Sequence, residues 1–237
     1  MTAWSSNETE LFVQYGDAFV PRRREQVAVI CALLDSLPQA TVLELACGEG
    51  ILTAEILREH PPVVVTAVDA SAAMLAAARR RLAPFGSRAS LIEADLTDES
   101  WRTGWYGAAV TSLAVHHLDD AGKRAMMRAV YELLSPGGVY VQADLMLPAT
   151  PVATAVAAAL WDTSVEHQSL ALYGGDDAHA AFLHARWNTF RFPDPVDHPA
   201  TVVDQLSWLA DAGFVGVDVP WAFAGHAILT ATRPDTM

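Results

Sequence analysis

Residues 41–50 read TVLELACGEG: five residues rich in apolar and β-branched side chains (Thr41–Leu45), then a turn holding two glycines. ILTAEILREH (Ile51–His60) follows and reads as a helix. A buried strand, a tight turn and a helix open a βαβ unit. The pattern recurs, with strands predicted over Val63–Asp69, Ser90–Leu96, Ala108–Val115 and Gly138–Asp144. Helices are predicted over Ser71–Leu82 and Asp119–Leu134, the second stopped by Ser-Pro-Gly-Gly at Ser135–Gly138. Upstream, PRRREQVAVICALLDSL (Pro21–Leu37) reads as one helix. Strands this apolar, joined by helical crossovers, imply a parallel sheet covered on both faces.

Past Asp144 the alternation stops. Helical stretches are expected around Val152–His167 and Asp176–Trp187, followed by a Pro-rich link, FPDPVDHP (Phe192–Pro199). A helix over Thr201–Ala212 and strands over Phe214–Trp221 and His226–Thr232 complete the chain. Only Ala222–Gly225 joins those last two strands, so one of them must run antiparallel.

Composition bounds the function. The 237 residues carry 15 Lys+Arg against 28 Asp+Glu, a net charge of −13 that repels a polyphosphate backbone. No apolar run is long enough for a membrane span, and MTAWSSNETE at the N-terminus lacks the basic start and apolar stretch of a signal peptide. Two cysteines, Cys31 and Cys47, make no disulfide framework or Cys-rich zinc site. The expectation is a cytoplasmic α/β protein that binds neither nucleic acid nor membrane.

The turn after the first strand selects among ligands. A dinucleotide loop needs G-x-G-x-x-G so that the backbone can approach a pyrophosphate. Here Gly48 and Gly50 are present, but Thr53 stands at the third position, and Glu44 before the turn repels a phosphate. An acidic strand end beside a two-glycine turn suits a zwitterionic, phosphate-free ligand.

VLELACGEG (Val42–Gly50) resembles the first motif of class I S-adenosylmethionine-dependent methyltransferases, V-L-D-L-G-C-G-x-G. VDAS (Val68–Ser71) with Met74, EADL (Glu93–Leu96), LAVHHL (Leu113–Leu118), LLSPGG (Leu133–Gly138) and AGF (Ala212–Phe214) follow in the family's order. The resemblance, together with the strand pattern, implies a Rossmann-like α/β fold. Its seven-stranded sheet is mostly parallel, with helices on both faces and one antiparallel C-terminal strand. A single domain over 1–237 is expected, with N-terminal cap helices in 1–40 and a helical insertion over 145–200 that sets substrate specificity.

S-adenosyl-L-methionine is the cofactor that the resemblance implies. It assigns Asp69 to the ribose hydroxyls, and Asp95, with the Leu96 amide, to the adenine. Ala70, Met74, Ala94 and Leu113 would lie against the adenosine, and Glu44, Ala46, Cys47, Gly48 and Gly50 would form the turn beneath it. Ala46 replaces the commoner glycine and Glu44 the commoner aspartate. The Arg22–Arg24 cluster opposes a helix dipole, which a bound carboxylate would offset at Arg23; a solvated face balanced by Glu25 is the alternative. Tyr15 and Phe19 look like a flap, with Phe19 also a candidate substrate contact.

Methyl transfer leaves the protein to align the nucleophile, exclude water and remove a proton where needed. Val115-His116-His117-Leu118 stands where nucleobase and glutamine N-methyltransferases carry an Asn/Asp-Pro-Pro-aromatic motif, which argues against those acceptors. His116 and His117 are candidates for base or substrate orientation, and Asp144 for orienting a histidine. Asp119 and Asp120 read as a helix N-cap rather than metal ligands, so no metal is expected. Ten of the chain's 20 aromatics fall between Trp161 and Phe223, making Trp161, Trp187 and Asn188 candidate substrate contacts. Nine acids against two arginines between Leu145 and Pro220 favour a neutral or cationic small-molecule substrate. A monomer or homodimer is expected.

Overall fold

The computed structural model describes residues 6–235; the first five residues of the leader reading lie outside them. Five parallel strands form the body of the sheet: β1 (Thr41–Leu45), β2 (Val64–Asp69), β3 (Ala89–Glu93), β4 (Tyr106–Ser112) and β5 (Leu134–Leu145). β6 (Val215–Phe223) and β7 (His226–Thr232) complete the order β3-β2-β1-β4-β5-β7-β6. β7 is antiparallel to both neighbours, so it is the one reversed strand. Order reverses beside β1, placing a crevice between the carboxyl ends of β1 and β4.

Side-chain alternation explains the layers. Val42 of β1 packs with α2 (Arg23–Ala32), α3 (Ile51–Glu59) and α4 (Ala72–Leu82) on one face. Leu43 and Leu45 point the other way, toward α5 (Asp120–Leu133) and α8 (Val202–Asp211). Period-2 alternation with both faces apolar requires helices on both sides.

A third cluster sits over the carboxyl ends of the strands. It joins α1 (Ser6–Phe19), α6 (Pro151–Tyr173) and α7 (Asp177–His184) through Phe19, Trp161, Val165 and Phe182. Gln168 of α6 binds α1 by donating from Nε2 to the carbonyls of Ala18 (2.8 Å) and Val20 (2.9 Å). These carbonyls end α1 without intrahelical partners, so the amide serves as a C-cap supplied by another helix.

Several boundaries differ from the sequence expectation. α2 starts at Arg23 rather than Pro21, because Arg22 is left-handed at φ 51°, and it unwinds after Ala32 through a Leu34 N–H bond to the Cys31 carbonyl. α6 runs on to Tyr173 and stops where Gly174 turns left-handed at φ 72°. β4 ends at Ser112 because Leu113 is left-handed at φ 57° and residues 115–117 form a 3-10 turn. Ser135–Gly138 is not a loop but part of β5: Leu134 already pairs with Tyr106, and a register shift follows. The β6–β7 loop is two residues, Ala224 (φ 51°) and Gly225 (φ 75°), and two positive φ values in succession mark the hairpin turn that matches strand twist.

Candidate active site

The turn after β1 is held by its neighbours. Gly48 N–H donates to Asp69 Oδ2 (2.8 Å) and Ser71 N–H donates to Asp69 Oδ1 (2.8 Å), so the carboxylate at the end of β2 clamps the turn. Ser71 caps α4 by accepting from Met74 N–H. Ala46 has φ 55°, a left-handed conformation that costs an L-residue about 1–2 kcal/mol. That backbone is the physical reason a glycine is commoner there. Gly48 (φ 54°) has open space where a Cβ would project, so the backbone itself faces the crevice.

The crevice is a cavity of about 680 Å³. Its lining includes Glu44, Ala46, Cys47 and Gly48 from the first turn, Asp69, Ala70 and Met74 from the second, Ala94 and Asp95 from the third, and Leu113 and His117 from the fourth. Arg23 enters from α2 and donates to Ser112 Oγ (2.6 Å). Glu44 is buried and accepts from Thr53 Oγ1 (2.5 Å). Burial pushes its carboxyl up to about 7, although the Thr53 hydroxyl and the Arg23 guanidinium pull the other way. Thr53, which stands where a dinucleotide loop has its third glycine, thus serves the acid. Burial also raises Asp69, partly offset by the Ser71 and Gly48 amides, and it pushes the Cys47 thiol far up, which removes it as a nucleophile.

Other expected residues lie elsewhere. Leu96 is in the core, with its carbonyl accepting from Trp101 Nε1. Gly50 (φ 76°) backs onto Leu82 and Ala78 rather than the cavity. Tyr15 packs on Phe19 and Tyr173, and Phe19 is wholly buried against Phe182 and Trp187, so Phe12, one turn of α1 earlier, lines the cavity instead. The arginine triplet divides. Arg22 lies 3.9 Å over the Phe223 ring and pairs with Glu25 (3.6 Å), while Arg23 alone of the three lines the cavity.

A second, smaller cavity of about 110 Å³ adjoins the first, and Phe12, Leu113 and His117 line both. Trp161, Trp187 and Phe192 wall it, and Trp187 stacks on Phe12 at 6.0 Å. Asn188 stays outside, donating to the Ala158 carbonyl (3.0 Å) and Asp162 (2.6 Å). Thr189, unmarked in the sequence, lines this chamber, and its buried hydroxyl has no partner among the described residues. His226 also lines it. Its Nδ1–H donates to the Ala224 carbonyl (3.1 Å), and burial lowers the imidazole to about 4, so it is neutral.

The histidine pair forms the polar end of the chamber. Asp144, at the end of β5, accepts from His116 N–H (3.0 Å) and meets His116 Nδ1 at 2.5 Å. Burial disfavours both charges, but their mutual attraction raises His116 and lowers Asp144. Asp197 was not foreseen. It descends from the Pro-rich link, with Oδ1 3.0 Å from His117 Nδ1 and 3.7 Å from His116 Nε2. Asp119, by contrast, caps α5 by accepting from Gly122 N–H.

This strand order, mostly parallel with one reversed strand, is that of the Rossmann-like fold seen in solved methyltransferases. Residues 42–138 match the family model described as a methyltransferase domain. An uncharacterized methyltransferase of Mycobacterium tuberculosis is 33% identical over 120 residues, covering 49% of this chain and 58% of that protein. Ribosomal RNA small subunit methyltransferase C of Pseudomonas paraeruginosa is 31% identical over 129 residues, covering 53% of this chain and 38% of that protein. The chain therefore spans less than two thirds of either relative. Among solved structures, an O-methyltransferase family protein from Burkholderia thailandensis shares the fold with a TM-score of 0.67 at 20% identity, over 90% of this chain and 57% of that one. No helix among the described residues is long and apolar enough to cross a membrane.

Proposed function

We propose that this chain transfers the methyl group of S-adenosylmethionine to a small-molecule acceptor with an oxygen, nitrogen or carbon nucleophile. The observation that carries this reading is the contact between the two cavities at Phe12, Leu113 and His117. The larger one takes the cofactor. Asp69 Oδ1 and Oδ2 each accept one backbone N–H and keep lone pairs for the ribose hydroxyls, while Asp95 faces the adenine. Arg23 holds the methionyl carboxylate, and Glu44 favours the cationic end of the ligand.

In the smaller chamber the acceptor lies between Trp161, Trp187 and Phe192, with Thr189 and the histidine cluster fixing its polar groups. When bound, S-adenosylmethionine would supply an electrophilic methyl carbon. The chamber's residues would hold the acceptor's nucleophilic atom in line with it, so that its electron pair displaces S-adenosylhomocysteine while its proton, where it carries one, passes to water. Positioning the two partners across one opening supplies most of the acceleration.

Asp194 and Asp197 outnumber Arg186 in the chamber, which suits a neutral or cationic acceptor. Its volume of about 110 Å³ admits a small acceptor group rather than an extended ring system, since a cavity of ~150 Å³ is what takes benzene. Together with the net charge of −13, that size opposes an RNA acceptor, although relatives of this chain include a ribosomal RNA methyltransferase. Buried free thiols at Cys31 and Cys47 fit a cytoplasmic enzyme, monomeric or homodimeric. Labelled S-adenosylmethionine incubated with a panel of small hydroxylated and aminated aromatics tests this reading. Label is expected in one or more neutral or cationic members and not in RNA; label in RNA alone overturns the acceptor class.

A further inference from the structure

We propose that His116, His117 and Asp197 form a binding site for a divalent transition-metal ion at the junction of the cofactor cavity and the acceptor chamber. One ligand atom from each of His116, His117 and Asp197 lies within 4.8 Å of the other two, and no other three such donors converge among the described residues. Asp197 Oδ1 is 3.0 Å and 3.7 Å from the two nitrogens. These separations bracket the roughly 3.4 Å between neighbouring donors of a tetrahedral ion with metal–nitrogen bonds near 2.1 Å.

The support around the donors is what a metal site needs. Asp144 occupies the other ring nitrogen of His116 at 2.5 Å, which fixes the ring and turns Nε2 toward Asp197. A carboxylate behind a histidine is the usual outer shell of a metal ligand. The segment carrying Asp197 is pinned as well: His198 N–H donates to the His116 carbonyl (2.6 Å), and the buried Lys123 ammonium donates to the His198 carbonyl (2.5 Å). Two imidazoles and one carboxylate on one side leave the remaining positions open toward the chamber. That donor set selects zinc, iron, cobalt or manganese over magnesium or calcium, which take oxygen ligands.

The site rests on the methyl-transfer reading for its use and narrows it to an oxygen acceptor. A hydroxyl or enol beside the cation loses its proton to water, and the resulting oxyanion takes the methyl carbon as the sulfonium bond breaks toward sulfur. No protein base is then required. The third donor lies in the link some 80 residues beyond the histidine pair, a distance that no local spacing encodes.

The test is a titration of the chelator-treated full chain with Co(II) alone, followed by visible absorption and calorimetry. One ion per chain is expected. Asp197→Asn and His117→Gln should each weaken binding at least tenfold, and Asp144→Asn should do so through His116. Absence of saturation at one ion per chain in the unaltered protein overturns the site, and so does unchanged affinity in both Asp197→Asn and His117→Gln. The unaltered chain decides even if a variant fails to fold. S-adenosylhomocysteine binding, measured separately without metal, isolates failure of the cofactor reading from failure of the site.

Discussion

The cavity proposed for the cofactor and the chamber proposed for the acceptor meet at three residues, yet they are built by different means. The cofactor cavity is backbone architecture. Its walls are turns that leave β1, β2, β3 and β4 at their carboxyl ends, and left-handed residues at Ala46, Gly48 and Leu113 give those turns their shape. The acceptor chamber is side-chain architecture. Phe12 of α1 stacks on Trp187 beyond α7, and Asp197 reaches His117 from the link before α8. A site made of turns keeps its form as long as the sheet folds. A site made of distant side chains depends on how three helices dock, which leaves it free to vary with the acceptor.

The largest effect that separates the two regions belongs to Asp69. Asp69→Ala removes the clamp on the Gly48 and Ser71 amides as well as the ribose partner, and should weaken S-adenosylhomocysteine binding more than 100-fold. Retained affinity, measured by calorimetry, would erase the distinction between the cavities. Next is Asp197→Asn, which touches the chamber alone and is expected to lower turnover by about 100-fold with cofactor affinity within a fewfold of the parent. Loss of both together would mean that the chamber cannot be separated from the cofactor site.

The smallest effect sharpens the cofactor side alone. Glu44, raised to about 7 in the free protein, must ionise to face a cationic ligand. Cofactor affinity should therefore fall as pH drops below 7, by up to tenfold per unit, and stay level above about 8. In the free protein the sign is opposite. Between its ordinary 4.5 and about 7, the folded chain holds the Glu44 proton and the unfolded chain does not, so this acid lowers stability as pH rises across that window. Glu44→Gln should flatten both profiles; an unchanged affinity profile would show that Glu44 does not face the ligand's charge.

The same contrast explains what was legible in the sequence. Apolar β-branched runs and the Ala46–Gly50 turn are local signals, so the strand count, the reversed strand and most of the cofactor lining could be read from them. The motif order implies roles for Asp69 and Asp95, and both line the same cavity. The chamber was read less well because aromatic content does not say which face a ring presents. Trp161 and Trp187 reach the chamber, whereas Phe19 is consumed by packing and Asn188 by three hydrogen bonds. Phe12, Thr189 and Asp197 carry no periodic or motif signal; only the docking of α1 and of the Pro-rich link brings them in.

Calorimetric titration with S-adenosylhomocysteine and, separately, with NADH tests the central claim most directly, because the two-glycine turn with an acid before it is read as excluding a pyrophosphate. The account predicts saturable 1:1 binding of S-adenosylhomocysteine at micromolar concentration and no heat with NADH. Binding of NADH with no response to S-adenosylhomocysteine would contradict it.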